Sequence, residues 1–125
     1  MSVEHRASNA TQEEYEQIIE LGRLVYDNRV KGQLALTRAS GDVMMKPNVS
    51  NEPYCKTIMC NPKFHKFIVL GCDGLWDYVS PEQVGDHLLQ YHKNNLDFKE
   101  YSKSLVNESK KKSSDNISVI VIELF

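Results

Sequence analysis

Two apolar runs of strand length, each with a carboxylate at one end, constrain this chain most. The runs are residues 67–72 and 117–122; Asp73 follows the first and Asp115 lies just before the second. A continuous apolar run is typical of a strand covered on both faces. If the two strands pair antiparallel, the end of the first lies beside the start of the second. Both carboxylates would then project from the same edge of one sheet.

This pair of carboxylates predicts a metal site. Carboxylate oxygens are the ligands that hard cations such as Mg²⁺ and Mn²⁺ prefer. Gly74 would let the backbone turn sharply after Asp73, and Trp76 would pack beneath the site. Asp-Gly and Asp-Asn are also common turn dipeptides, so either aspartate taken alone is more simply explained by an ordinary turn.

Two helices are predicted between the apolar runs. The first begins at Ser80-Pro81-Glu82-Gln83, which combines an N-cap serine, a proline at the first helical position and a capping-box glutamine. The second opens at Asp97. Their predicted inner faces are Val84, His87, Leu88 and Tyr91 in the first helix, and Phe98, Tyr101 and Leu105 in the second. Lys110, Lys111 and Lys112 lie at the end of the second helix, where cations suit the helix dipole.

The N-terminal part of the chain predicts shorter elements. A helix is expected from Thr11 to about Gly22, with a Thr11–Glu14 capping box and an inner face of Tyr15, Ile18 and Ile19. Short extended pieces are expected at residues 24–26 and 33–37, with a turn at residues 27–28. Residues 40–60 read as a loop with one extended piece at 55–59, followed by a turn at 61–63.

Composition narrows the class of protein. The 125 residues fit one domain with one core. A formal net charge of −2 argues against a nucleic-acid surface, and no apolar run is long enough to cross a bilayer. The absence of a signal-peptide pattern predicts a cytoplasmic or nuclear location. Of three cysteines, Cys72 is expected to be a small buried hydrophobe.

Several segments, in order along the chain, resemble the metal-dependent serine/threonine protein phosphatases of the PP2C, or PPM, family. Residues 34–42 resemble its L-A-[VL]-[ST]-R-A-x-G-D segment, and residues 72–77 its C-D-G-[LIV]-W-[DE] motif. Residues 114–119 resemble the last six positions of its closing S-x-D-N-[IM]-[ST]-[VA] motif. Residues 4–6 and 49–53 are similar to its D-H-[KR] and V-[ST]-x-x-P elements.

The resemblance implies an α+β fold, a partial PP2C-like α/β/β/α sandwich with mainly antiparallel strands and a two-helix hairpin between the last strands. Residues 1–125 would be the C-terminal portion of the phosphatase domain. The implied activity is hydrolysis of phosphoserine and phosphothreonine in a phosphoprotein substrate by a metal-activated water, with two Mg²⁺ or Mn²⁺ ions in the complete domain. Asp73 and Asp115 would be direct ligands. Asp77 would bind an additional metal or contact the site through water. Asn116 would fix the turn that orients Asp115.

The chain departs from the family pattern in what it lacks. The D-G-H-G-G motif, the acidic ligand pair and the phosphate-gripping arginine of the family's N-terminal half are absent from this sequence. Two carboxylates alone bind Mg²⁺ weakly. We therefore expect weak or absent metal binding and no activity from this chain alone, and we assign no catalytic or substrate-binding residue. Uncovered strand edges predict a homodimer or strand exchange.

One alternative stays open: a non-catalytic phosphatase-like module that binds a protein partner. A cysteine-based phosphatase is excluded, because a C-x₅-R loop would need arginine at positions that hold Asn61, Lys66 and Tyr78. No G-x-S-x-G elbow supports a serine hydrolase. Arg38 is predicted to be a structural ion-pair partner, and His87 is predicted to be a packed core residue.

Overall fold

A computed structural model describes residues 2–20 and 25–125, and the chain divides into two compact units. The N-terminal unit, Met1–Ile58, holds helix α1 (Gln12–Glu20), strands β1 (Val25–Tyr26) and β2 (Arg29–Val30), and a 3₁₀ turn at Val43–Met45. The C-terminal unit, Met59–Phe125, holds β3 (Phe67–Gly71), α2 (Asp73–Trp76), α3 (Pro81–Lys93), α4 (Lys99–Lys110) and β4 (Val119–Glu123). This mixture of helices and antiparallel strands agrees with the predicted α+β class. None of the helices described is long and apolar enough to span a membrane.

Strands β3 and β4 pair antiparallel, in a register that runs from Phe67 opposite Glu123 to Gly71 opposite Val119. Within the C-terminal unit, only one face of this pair is covered. The covered side chains, which pack against the helices, are Phe67, Val69, Val119 and Val121. The opposite face is exposed and consists of Ile68, Leu70, Ile120 and Ile122. The prediction of a strand covered on both faces was therefore wrong for residues 67–72 in this unit, because helices α2 to α4 lie on one side only.

The C-terminal unit has an apolar core made by its three helices. Its buried members are Leu75, Val79, Val84, Leu88, Tyr101 and Leu105. The capping box of α3 is confirmed: Gln83 N donates to Ser80 Oγ (3.3 Å), and Ser80 N donates to Gln83 Oε1 (2.9 Å). Phe98 departs from the prediction, since it is 40% exposed. It stands at the N-cap of α4, before the periodic inner face begins, and lies against the ring of Tyr101 instead.

Helix α1 has the predicted capping box but a different buried face. Glu14 N donates to Thr11 Oγ1, and Thr11 N donates to Glu14 Oε2, each over 3.3 Å. Ile18 is buried, whereas Tyr15 and Ile19 are exposed. Glu14 is buried as well, four residues before Ile18 and so on the same helix face. The predicted helix end at Gly22 lies outside the described residues, as does the first residue of the piece at 24–26.

The rest of the N-terminal unit is built from turns and single bridges around a small core of Ala7, Val30, Met45 and Val49. The prediction of one core was therefore wrong, since each unit has its own buried apolar cluster. The predicted turn at residues 27–28 is confirmed, since Asp27 (φ 52°) and Asn28 (φ 55°) both have positive φ, as a type I′ hairpin between β1 and β2 requires. Residues 33–37 form isolated bridges rather than a strand.

Residues 51–60 are exposed and belong to no helix or strand, as expected for a loop, and the extended piece predicted at 55–59 is not part of a sheet. Apolar residues there have no partner strand within the described part of the chain. The turn at 61–63 is confirmed, because Asn61 O accepts hydrogen bonds from Phe64 N (3.0 Å) and His65 N (2.8 Å).

Candidate metal centre

The end of β3 is joined to the segment that leads into β4. Cys72 N donates to Ser118 O, the Cys72 thiol donates to Asn116 O, and Ser118 N donates to Cys72 Sγ, each over 3.2 Å. Cys72 is half-buried rather than fully buried as predicted, because its sulfur bridges two backbone groups. These bonds continue the strand pairing beyond β3 and bring the neighbours of Asp73 and Asp115 together.

Gly74 allows the backbone of α2 to lie very close to the backbone of Asn116. A Cβ atom there would lie 2.3 Å from the Asn116 carbonyl oxygen, a distance that real Cβ contacts do not reach. The prediction that Gly74 permits a sharp turn was wrong, since Gly74 is the second residue of helix α2. Its role is steric: only glycine lets α2 lie directly against residue 116.

The two predicted ligands lie at the same edge of the β3–β4 sheet, and both are exposed. Asp73 Oδ1 accepts a hydrogen bond from Gly74 N (3.0 Å), and Asp115 Oδ1 accepts one from Asn116 N (2.7 Å). Each carboxylate is thus oriented by the amide that follows it. Within residues 2–20 and 25–125, neither carboxylate has an ion-pair partner. The backbone of Asn116, rather than its side chain, orients Asp115.

Trp76 and Asp77 lie at the end of α2, within one helical turn of Asp73. Asp77 is the C-cap of α2, and its N–H donates to Asp73 O (2.9 Å). Residues four apart lie on one face of a helix, so Asp77 shares the face of Asp73. The indole Nε1 of half-buried Trp76 donates to Gly71 O (2.8 Å), which fixes the ring beside the end of β3.

One supporting residue was missed by the sequence analysis. Ser109 is fully buried, and its hydroxyl donates to Gly74 O (2.5 Å), tying α4 to α2 beneath the candidate site. The signal was present in the sequence, because Ser109 continues the four-residue spacing of Tyr101 and Leu105 on the inner face of α4.

The chemistry of the donor set fits a hard divalent cation. Mg²⁺ is commonly held by one or two carboxylates, keeps several waters and binds phosphate oxygens as well. Among the residues that the structure describes, no cluster of three or more His, Cys, Asp or Glu side chains is placed to hold a metal. At this edge Asp73 and Asp115 supply two carboxylates, which by themselves are fewer ligands than such a cluster.

A second polar cluster surrounds Glu14 in the N-terminal unit. Glu14 is 7% exposed, and its Oε1 contacts His5 Nδ1 (2.5 Å) and Arg38 Nε (3.0 Å). Burial alone would raise the pKa of Glu14, but hydrogen bonds with Arg38, His5 and Thr11 N outweigh it and lower the pKa. Arg38 also donates to Glu52 O (2.9 Å). Arg38 is therefore a structural ion-pair partner, as predicted.

His87 is half-buried on α3, as expected for a packed residue. Its Nε2 lies 2.8 Å from Ser104 Oγ, and its ring stacks on Tyr91. Because the Ser104 hydroxyl donates to Tyr101 O (2.7 Å), it accepts from His87, which places the imidazole proton on Nε2. Burial lowers the pKa of His87 from its ordinary value, which favours the neutral ring.

A family model and a curated relative both match this chain, and both belong to the same family. The family model for protein phosphatase 2C matches residues 1–117. Protein phosphatase 2C homolog 1 of Schizosaccharomyces pombe is 35% identical over 125 residues, covering 99% of this chain and 34% of that protein. The chain thus spans about a third of the length of that relative.

Solved structures show the same fold. A Caenorhabditis elegans sex-determining protein superimposes with a TM-score of 0.85 at 27% identity, over 98% of this chain and 31% of the other. A serine-threonine phosphatase 2C from Toxoplasma gondii superimposes with a TM-score of 0.77 at 22% identity, over 98% of this chain and 46% of that one.

Proposed function

Because the chain belongs to the protein phosphatase 2C family, we propose that it is part of a Mg²⁺- or Mn²⁺-dependent protein serine/threonine phosphatase and that Asp73 and Asp115 are metal ligands. The observation that carries this proposal is the Gly74–Asn116 approach, which brings the segments bearing both carboxylates to one sheet edge. We further propose that the chain corresponds to the C-terminal portion of the phosphatase domain, since residues 72–77 and 114–119 resemble the later motifs of the family.

Each residue has a separate task in this proposal. Asp73 and Asp115 present carboxylate oxygens held in position by the amides of Gly74 and Asn116. Asp77, on the face of Asp73, supplies an outer or additional ligand. A divalent cation held there would provide Lewis-acid assistance to the hydrolysis of a phosphate ester.

The proposed substrate is a phosphoserine- or phosphothreonine-containing protein, in the cytoplasm or nucleus. Two carboxylates leave Mg²⁺ strongly hydrated and weakly held. The chain on its own is therefore expected to bind metal weakly and to turn over no substrate. p-Nitrophenyl phosphate tests the latter: metal-dependent turnover by the 125-residue chain would contradict it.

A Mn²⁺ titration followed by the fluorescence of Trp76, the only tryptophan, tests the ligand assignment. We expect a weak but saturable change, lost in Asp73→Asn and in Asp115→Asn. Asp86→Asn is the matched control, because it removes one exposed carboxylate from α3 in the same unit. A response that survives in both ligand variants, or that Asp86→Asn abolishes equally, would refute the assignment.

A non-catalytic module that binds a protein partner is the second candidate. The exposed apolar face of β3 and β4 favours it, with Leu70 53% and Ile120 58% exposed and directly opposite each other. Contiguous apolar patches of this kind mark interaction surfaces. In the isolated chain we propose that this face, or the free strand edges beside it, supports homodimerisation or strand exchange. Light scattering after size-exclusion chromatography should show a dimer that Ile120→Lys dissociates; a monomer at high concentration contradicts it.

A further inference from the structure

The segment between α4 and β4 carries a basic run followed by two serines. Helix α4 ends at Lys110, and residues 111–118 form neither helix nor strand. Lys110, Lys111 and Lys112 come directly before Ser113 and Ser114. The metal-site proposal leaves this basic run without a role.

The two serines differ in availability. Ser113 is half-buried, and its Oγ accepts a hydrogen bond from Asp115 N (3.1 Å). Ser114 is exposed, and its hydroxyl has no hydrogen-bond partner within the described ranges. A reaction at Ser114 therefore breaks no hydrogen bond of its side chain, whereas a reaction at Ser113 disturbs the turn that leads to Asp115.

The charges around Ser114 are basic on its N-terminal side. Lysines stand two, three and four residues before it, whereas the third residue after it is Ile117. Lys111 pairs with Glu108, but 66% of its side chain is exposed. Exposed ion pairs of this kind contribute little free energy, so the ammonium group remains available to another acidic surface. Charge patterns of this type direct kinases to their substrates.

We propose that Ser114 is a phosphorylation site for a serine/threonine kinase that recognises basic residues before its target. In the reaction, Ser114 Oγ forms a bond to the γ-phosphorus of ATP, and the bond from that phosphorus to the β–γ bridging oxygen breaks. ADP leaves with the electron pair, and the hydroxyl proton passes to the catalytic aspartate of the kinase.

Phosphorylation changes the charge of the candidate metal centre. A phosphoserine carries about −1.5 to −2 charges and three acceptor oxygens at pH 7. At position 114 it stands next to Asp115, where phosphate oxygens are hard donors suited to Mg²⁺ and Mn²⁺. The modified chain thus gains one more anionic group directly beside Asp115. This consequence rests on the proposed function, whereas the modification itself does not.

The modification is tested with ATP and the catalytic subunit of a basophilic kinase on the 125-residue chain. Mass spectrometry should locate one phosphate on Ser114. Ser114→Ala should abolish it, and the matched control Ser113→Ala should retain it. Replacing Lys110 and Lys111 by glutamine should slow the reaction about tenfold, since charge-assisted contacts with the kinase are lost. No phosphate on Ser114, or an unchanged rate in the lysine variant, overturns the proposal.

The consequence is tested by the Mn²⁺ titration with Trp76 fluorescence. Phosphorylation should tighten Mn²⁺ binding by about tenfold, through the added anionic donor. The gain should be lost in phosphorylated Asp115→Asn. If the unmodified chain binds Mn²⁺ through Asp115 but phosphorylation leaves the affinity unchanged, the coupling is wrong while the proposed function stands. If neither form binds Mn²⁺, the proposed ligands and the coupling both fail, and phosphorylation of Ser114 stands alone.

Discussion

The two units of this chain are stabilised by different interactions. In the C-terminal unit, three helices bury a contiguous set of large apolar side chains against one face of a two-stranded sheet. In the N-terminal unit the buried apolar set is small, and a carboxylate, Glu14, occupies an interior position. A buried charge costs free energy unless partners compensate it. Arg38 and His5 provide that compensation.

Helices α3 and α1 illustrate this difference, because they pack through different interactions. Helix α3 presents Val84 and Leu88 one turn apart, so hydrophobic burial orients it. Helix α1 presents Glu14 and Ile18 one turn apart. It is therefore oriented jointly by the Glu14–Arg38 ion pair and by burial of Ile18. We therefore expect core truncation to damage the C-terminal unit most and charge neutralisation to damage the N-terminal unit most.

The largest effect is expected for Leu105→Ala, because Leu105 is fully buried in the C-terminal core. Truncation of a buried leucine lowers the free energy of unfolding by about 2–5 kcal/mol. Urea unfolding followed by Trp76 fluorescence measures it. Leu70→Ala is the control: this side chain is 53% exposed, and its loss should cost less than about 1 kcal/mol. Equal losses in the two variants would contradict an apolar core confined to the helical side of the sheet.

An intermediate effect is expected for Glu14→Gln, which leaves the Arg38 guanidinium without its carboxylate partner. The loss of a charged hydrogen-bond partner should cost about 1–3 kcal/mol. Hydrogen exchange at Thr37 N–H, which donates to His5 O (2.9 Å), reports this for the N-terminal unit. Exposed Glu13→Gln on the same helix is the matched control and should leave that exchange nearly unchanged. Identical exchange in the wild type and Glu14→Gln would show that the ion pair is dispensable.

The same carboxylate makes the stability of the N-terminal unit depend on pH. The pKa of Glu14 in the folded chain lies below its ordinary value of 4.5. Its contribution is therefore complete above about pH 4.5 and is lost as the pH falls through the folded pKa. Protection of Thr37 N–H should fall with acidification in the wild type, and this fall should be smaller in Glu14→Gln. The same acid dependence in both proteins would exclude Glu14 as its source.

The smallest effects are expected from the two capping boxes, one in each unit. Ser80→Ala and Thr11→Ala each remove the side-chain acceptor of an N-terminal amide. Each should cost about 1 kcal/mol. Trp76 fluorescence measures the first and exchange of the Glu14 amide the second. A loss from Thr11→Ala well above that from Ser80→Ala would show that the bond from Glu14 N to the Thr11 hydroxyl also positions Glu14 for its ion pair with Arg38.

Local signals predicted two helix starts and two turns correctly. Both capping boxes and the turns at 27–28 and 61–63 formed as expected, because each depends on residues within four positions of one another. The inner positions Val84, Leu88, Tyr101 and Leu105 were also predicted, since each helix packs along one face of 3.6-residue period.

Predictions that depended on distant neighbours were less successful. Tyr15 and Ile19 were expected inside but are exposed, because the partners of Glu14 come from positions 5 and 38, which helical periodicity does not report. Cys72 was predicted to be a buried hydrophobe, whereas its thiol donates to Asn116 O. Gly74 was predicted to permit a turn, whereas its lack of a Cβ lets the backbone of residue 116 lie close to it. That approach joins segments more than forty residues apart and exists only after β3 and β4 have paired.

By itself, the sequence determined that Asp73 and Asp115 flank two apolar strands, that capped helices lie between them, and which family motifs surround them. Whether those carboxylates share an edge was decided by the antiparallel register of β3 and β4 and by the absence of a Cβ at Gly74. The physical reason is the range of the interactions. Caps and periodicity act within one or two helical turns, whereas register and steric exclusion act between backbones that meet only in the folded chain.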